Sequence, residues 1–246
     1  MAKYRVAVVG GAGTWGRFYM QAYAAHPDCE IIALVDQAKD RRQAFADHFG
    51  AKAVFDSVED LFAQEVPDIV SAIVPVGQNR PIVLACAEAG VRVVSCEKPL
   101  AVELSHADEI VRVCRERGTL FGCGQSRWIT PYMPQVIDWI KAGNIGALTG
   151  ATIPVGLPVE VSGGGCVQLS ALRMVTGMDV DWVEGHTLDP IPRYVAYPHG
   201  PDVEKDCPAY GRVGLSGGIE CDIPAPPEKQ NRPSSFLAVE GEEGRV

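Results

Sequence analysis

The stretch Val6-Ala7-Val8-Val9-Gly10-Gly11-Ala12-Gly13-Thr14-Trp15-Gly16 decides the fold. A short β-branched run ends in glycines, and a helix-like pattern follows at once. Gly11, Gly13 and Gly16 fill the spacing G-x-G-x-x-G. In a strand–turn–helix unit the first glycine permits a tight turn and the second lets a pyrophosphate approach the backbone. The third lets the helix pack closely on the strand. The pyrophosphate would rest on free N–H groups at the positive end of the helix dipole. A second apolar run, residues 31–35, ends in Asp36. That acid lies about 20 residues beyond the last glycine, where the fingerprint places a carboxylate for the adenosine ribose hydroxyls. The pattern predicts a dinucleotide site. The competing reading is a glycine turn of another α/β unit, with Asp36 a solvated acid at a strand end.

Outward from this stretch, short apolar runs alternate with helical patterns. Strands are expected over residues 4–9, 31–35, 53–55, 68–74, 91–95 and 120–122, and helices over 14–25, 37–49, 58–64, 81–89 and 105–117. Trp15, Phe18, Tyr19, Ala22 and Tyr23 form the expected apolar stripe of the first helix. Ser57 is placed to cap the 58–64 helix, and Gly50, Gly90 and Gly118 to close the helices before them. Such alternation predicts a doubly wound parallel sheet covered on both faces. Ligands of such sheets bind beyond the carboxyl ends of the strands. The texture changes near residue 128. A helix over 134–142 precedes segments that read as an antiparallel sheet: 149–155, 180–187, 210–215 and 218–223, with a helix over 166–176 between them. The fold class is therefore α/β, a Rossmann domain over 1–127 followed by an α+β domain over 128–246.

The chain has 246 residues, 47% of them hydrophobic and 22% charged, with a net charge of −9. No basic stripe marks a nucleic-acid partner. Lys3 and Arg5 precede only a short apolar run, so no signal peptide is expected. No run reaches the ~18 apolar residues of a membrane span, so no membrane partner is expected. The eight cysteines include no C-x-x-C pair. They read as reduced thiols of a cytoplasmic protein, with no metal site.

The chemistry-bearing element is Glu97-Lys98-Pro99, after a buried-looking strand. An ammonium there would polarise a hydroxyl or carbonyl beside a nicotinamide, and Glu97 would hold it in place. A surface Glu–Lys pair before a turn proline is the other reading.

Several stretches occur in a telling order. They are Gly11-Ala12-Gly13-Thr14-Trp15-Gly16, Asp36, Val74-Pro75, Ala89-Gly90-Val91, Cys96-Glu97-Lys98-Pro99-Leu100, Arg127 with Pro131, and Ile140-Lys141-Ala142-Gly143-Asn144-Ile145-Gly146. Together they resemble the glucose–fructose oxidoreductase / inositol dehydrogenase family of NAD(P)-dependent sugar and polyol dehydrogenases. The resemblance is close over residues 4–155 and loose beyond. It implies a Rossmann domain, then a domain with an open, mostly antiparallel sheet through which members associate. It implies that Lys98 is the catalytic-site lysine. It also implies a cofactor site drawn from Gly11, Ala12, Gly13, Thr14, Trp15, Gly16, Asp36, Pro75, Asn79, Glu97, Lys98 and Arg127, with Lys98, Arg127 and Gln168 toward substrate. Asp36 favours NAD over NADP, while Arg41 and Arg42 close by keep NADP open.

The chain departs from the family in three places. Asn79 stands where the family carries a His, with Val74 in place of a Thr; Asn79 can hydrogen-bond but cannot carry a proton. The family's second domain has a glycine-led helix with an Asp and a His facing the nicotinamide. Threaded from the glycines at 163–165, these fall on Gln168 and Leu172; threaded from the helix end, on Ser170 and Val167. His186, His199 and Tyr132 are the remaining candidate proton carriers. Finally, residues 238–246 resemble an element in the middle of the family's second domain, so that domain reads as shortened and its sheet edge as in need of a partner, which favours a homo-oligomer. The expected activity is hydride transfer between NAD(P) and a sugar, polyol or related hydroxy compound. The alternatives are a lyase- or hydrolase-like enzyme that retains NAD, or a non-catalytic dinucleotide-binding partner subunit.

Overall fold

A computed structural model describes residues 3–101, 103–124, 132–154, 157, 165–187, 209–225 and 237–246. The chain divides into two compact units, Met1–Gly124 and Gln125–Val246.

The first unit holds β1 (Tyr4–Val9), α1 (Gly16–Ala25), β2 (Cys29–Val35), α2 (Arg42–Phe49), β3 (Ala53–Phe55), α3 (Val58–Phe62), β4 (Ile69–Ala72), α4 (Val76–Glu88), β5 (Val93–Glu97), α5 (Leu104–Arg117) and β6 (Leu120–Gly124). The sheet order is β3-β2-β1-β4-β5-β6, with every pairing parallel. Alternate residues of one strand serve opposite faces. Val6 and Val8 pack with Met20 of α1 and Ala46 of α2, whereas Ala7 and Val9 share a cluster with Leu61, Val83 and Ile110 of α3, α4 and α5. That two-sided burial explains why the strands read as continuous apolar runs. The order reverses between β1 and β4, which sets a crevice at their carboxyl ends.

Three expectations need correction. The buried side of α1 is Gly16 and Met20, flanked by half-buried Tyr19 and Tyr23; Trp15 and Phe18 are exposed, and so is Ala22. Gly16 must face the sheet, and that sets the helix rotation. The second helix begins at Arg42 rather than 37, because the Asp36 carboxylate captures the Ala38 N–H and holds residues 36–41 in a turn. The fourth begins at Val76 and contains Pro81 as its sixth residue, where the missing N–H removes one i→i−4 bond of the helix. The Ser57 cap forms, its hydroxyl accepting from Asp60 N at 3.1 Å.

The second unit holds α6 (Tyr132–Lys141), β7 (Leu148–Thr152), α7 (Cys166–Thr176), β8 (Val180–Thr187), β9 (Ala209–Leu215), β10 (Ile219–Ile223), β11 (Ala238–Gly241) and β12 (Gly244–Arg245). The order is β12-β11-β7-β10-β9-β8. All pairings are antiparallel except β7 with β10. Leu172 of α7 packs on Ala151, Val213, Leu215 and Cys221, and Ile140 of α6 packs with Val175 and Val239. On the opposite face Arg212 pairs with Glu184 at 2.6 Å and with Glu220 at 3.1 Å. Among the described residues no helix is long and apolar enough to cross a membrane.

Candidate functional site

The turn after β1 is built by backbone crowding. Gly10 takes φ +77°, and a Cβ there would lie 2.1 Å from the carbonyl oxygen of Ile73. The positive-φ position is thus Gly10, one residue before Gly11, the glycine expected to make the tight turn. A Cβ on Gly11 would lie 2.5 Å from Cδ1 of Leu34. Gly16 is buried, and its Cβ would stand 2.1 Å from Gly10 O and 2.6 Å from Gly11 Cα. The first turn of α1 therefore rests directly on the glycine turn. Among the described residues the N–H groups of Thr14, Trp15 and Gly16 donate to no acceptor, the usual state of donors at a helix start. A glycine-rich turn with free N–H groups at a positive dipole end fits the pyrophosphate of a dinucleotide. Thr14 and Trp15 are exposed above it.

Asp36 follows β2, beside that turn. Its Oδ2 accepts from Ala12 N at 2.9 Å and its Oδ1 from Ala38 N at 2.8 Å. Each carboxylate oxygen keeps a second lone pair for a hydroxyl. Arg41 Nε donates to Ala12 O at 2.9 Å. Arg42 instead donates to Asp36 O at 2.8 Å and pairs with Asp56.

Glu97 ends β5, and half-buried Lys98 follows with a cis peptide bond to Pro99. Asn79 of α4 lies beneath this turn with no exposed surface. Its Nδ2 donates to Glu97 O at 3.1 Å, Pro99 O at 2.9 Å and Leu100 O at 3.3 Å. Asn79, expected at the nucleotide, is enclosed and braces the lysine turn. Pro75 caps the start of α4 after β4. Tyr19 of α1, read from sequence only as part of an apolar stripe, donates its hydroxyl to Glu97 Oε1 at 2.6 Å. Burial first, and this bond second, push the phenol pKa up. Tyr19 thus ties the helix of the glycine turn to the strand that presents Lys98. A tyrosine three residues past the last glycine was the only local signal for it. The sheet order β2-β1-β4-β5 sets Asp36, the glycine turn, Pro75 and Glu97-Lys98 along one carboxyl edge.

In the second unit, Leu172 is wholly buried in the core and Gln168 is 2% exposed. Val167 and Ser170 are half-buried. Neither threading of α7 places an acid or a histidine on this helix. Arg173 pairs with Asp179 at an exposed position. His186 is exposed and stacks on Tyr210 at 5.2 Å. Tyr132 is 75% exposed. Arg127 and His199 lie outside the described residues.

Residues 4–125 match the family described as "Oxidoreductase family, NAD-binding Rossmann fold". Among similar curated proteins, the D-glucoside 3-dehydrogenase of Escherichia coli K12 is 30% identical over 114 residues, which is 46% of this chain and 32% of that protein. Over three such relatives the chain spans 32–58% of their length. Among solved structures, myo-inositol 2-dehydrogenase from Lactobacillus plantarum superposes with a TM-score of 0.79 at 17% identity, over 99% of this chain and 76% of that one. GenD2 from gentamicin A biosynthesis, solved in complex with NAD, gives 0.78 at 20% identity, over 100% of this chain and 72% of that one. At such identities the likeness shows the fold.

Proposed function

We propose that the chain supports hydride transfer between a nicotinamide dinucleotide, NAD in preference, and a sugar, polyol or related hydroxy compound. The observation that carries this reading is the braced turn. Asn79 holds three carbonyls of Glu97-Pro99-Leu100 at the edge where the glycine turn and Asp36 also stand. When bound, the nicotinamide supplies the carbon that exchanges the hydride. The N–H groups of Thr14, Trp15 and Gly16 hold the pyrophosphate, and Asp36 accepts from the adenosine ribose. A carboxylate at that ribose repels an added phosphate, which favours NAD. Lys98 orients the substrate oxygen and moves its proton. Arg127 belongs to the substrate side; Gln168, enclosed in its own unit, is assigned to the packing of α7. Self-association is assigned to the second sheet, where the eight-residue strand β8 stands at an edge. Buried free thiols at Cys86, Cys96 and Cys114 support a cytoplasmic setting.

A second reading, a dinucleotide-binding subunit without turnover, is favoured by Leu172 and Val167 on α7, where the family's proton acceptor would stand. One experiment separates the two. Calorimetry with NADH should show binding, and a panel of sugars and polyols with NAD should yield reduced nicotinamide. Lys98→Ala should keep NADH affinity within about threefold and lose about 100-fold or more in turnover. Binding without turnover across the panel favours the second reading. No affinity for NADH or NADPH overturns both.

A further inference from the structure

Two thiols stand side by side on neighbouring strands next to the lysine turn, and the reading of the nucleotide site uses neither. We propose that Cys123 and Cys96 form a peroxide-responsive dithiol, in which Cys123 is oxidised first and Cys96 closes a disulfide onto it. The chemistry belongs to these two side chains and does not depend on the dinucleotide reading.

β5 reads Val93-Val94-Ser95-Cys96-Glu97, and β6 reads Leu120-Phe121-Gly122-Cys123-Gly124. Their parallel register sets Cys96 opposite Cys123 and Val94 opposite Phe121. The strand period puts these four side chains on one face, in the cluster that packs against α3, α4 and α5. Cys96 is 3% exposed, whereas Cys123 is half-buried. The Cys96 thiol donates to Cys123 Sγ. The Cys123 thiol in turn donates to the carbonyl oxygen of Glu97 at 3.7 Å. That carbonyl also accepts from Asn79 Nδ2 at 3.1 Å. The two thiols are therefore hydrogen-bonded in series to the turn that carries Lys98.

A thiolate, not a thiol, attacks a peroxide. The donor from Cys96 favours the thiolate of Cys123, which is also the more accessible of the pair. Its sulfur attacks one peroxide oxygen. An S–O bond forms, the O–O bond breaks, and the second oxygen leaves as hydroxide, which the proton released by the thiol turns to water. The Cys96 sulfur then attacks the sulfur of the sulfenic acid. The S–S bond forms, the S–O bond breaks, and the Cys96 proton leaves with the hydroxyl as water. The pair loses two electrons, and the peroxide takes them up. Paired residues on neighbouring strands stand about 4.8 Å apart, inside the Cα range of roughly 4.4–6.8 Å for disulfides, but their Cβ atoms must draw in to about 3.5–4.5 Å. β6 can yield that distance. It is an edge strand, and Cys123 lies between Gly122 and Gly124, where among the described residues an added Cβ meets nothing within 4 Å. Oxidation consumes the Cys123 proton, so Glu97 O loses one of its donors beside Lys98.

The test uses the whole protein, reduced and then treated with hydrogen peroxide. Remaining thiols are alkylated in denaturant, and peptides are mapped by mass spectrometry without reduction. The expected product is a Cys96–Cys123 cross-link that dithiothreitol reverses. Cys29 is the internal reference, a half-buried thiol that burial and Asp28 push up; Cys123 should oxidise at least about tenfold faster. In Cys96→Ser, dimedone should trap a sulfenic acid at Cys123. In Cys123→Ser, Cys96 should stay reduced. Thermal unfolding checks that both variants fold. In oxidised wild type, amide exchange over residues 97–100 should quicken about threefold or more, the worth of one lost hydrogen bond, and stay unchanged over 31–35. The inference is overturned if Cys123 oxidises no faster than Cys29, if it links to another cysteine, or if Cys96 oxidises equally in Cys123→Ser. Unchanged exchange over 97–100 in the cross-linked protein overturns the connection to the lysine turn.

Discussion

Replacing Gly16 by alanine tests the contact on which the nucleotide site stands. The added Cβ would lie 2.1 Å from Gly10 O and 2.6 Å from Gly11 Cα. Real Cβ contacts stay beyond 3.0 Å, so α1 must withdraw from the turn by about 0.9 Å. Both obstructing atoms are backbone, with no rotamer to relieve them. Overpacking costs about 1–3 kcal/mol, and a backbone obstruction belongs at the top of that range. At about 2–4 °C per kcal/mol for a chain of this length, the melting temperature should drop by roughly 6–12 °C. The same withdrawal moves the N–H groups of Thr14, Trp15 and Gly16 away from the pyrophosphate, so NADH affinity should fall about tenfold or more, the worth of a hydrogen bond to a charged group. Gly122→Ala is the internal control. Among the described residues a Cβ there meets nothing within 4 Å, so stability should change by no more than about 0.5–1 kcal/mol, and upward. Differential scanning calorimetry and NADH titration measure both. A Gly16→Ala protein melting within a degree of wild type, with unchanged NADH affinity, would refute the close-packing argument.

Two other perturbations follow from the packing. Asn79→Ala leaves three carbonyls of the lysine turn without their donor and should cost about 2–4 kcal/mol in urea denaturation. Asn79→Asp keeps the shape but faces those carbonyls with acceptors; it should be worse at pH 8 than at pH 5, where a protonated carboxyl still donates. Burial pushes the thiols of Cys86 and Cys221 up to about 12, so both should resist alkylation at pH 8.5 until the protein unfolds, as peptide mass spectrometry would show. Folded-state values raised above those of the unfolded chain mean that the unfolded chain loses these protons first. Stability should therefore fall as pH rises from about 9 toward 12. Cys123 is held below its ordinary value by a hydrogen bond from Cys96, and it should alkylate ahead of those two.

Much of the fold was legible because its causes are local. The alternation of apolar runs with capped helical patterns located every strand of the first sheet. β1, β3, β8 and α7 carry the expected bounds. Gly50 and Gly118 close their helices in the left-handed conformation, as residues without a Cβ allow. Boundaries shifted where one side chain competed for backbone, as Asp36 did for Ala38. The glycine turn, Asp36 and Glu97-Lys98-Pro99 were also visible as residues, since each stands at the end of a strand or directly after it.

The chain order of residues therefore determined by itself that a parallel sheet would form and which groups would stand at its carboxyl edge, because hydrophobic period and turn chemistry act between near neighbours. Which partner each group meets was decided only by the tertiary structure. Asn79 reaches carbonyls 18–21 positions away, Arg41 reaches Ala12, and Tyr19 reaches Glu97 across 78 residues. Such contacts depend on strand order and helix rotation, which the whole core sets at once and no single stretch of sequence encodes.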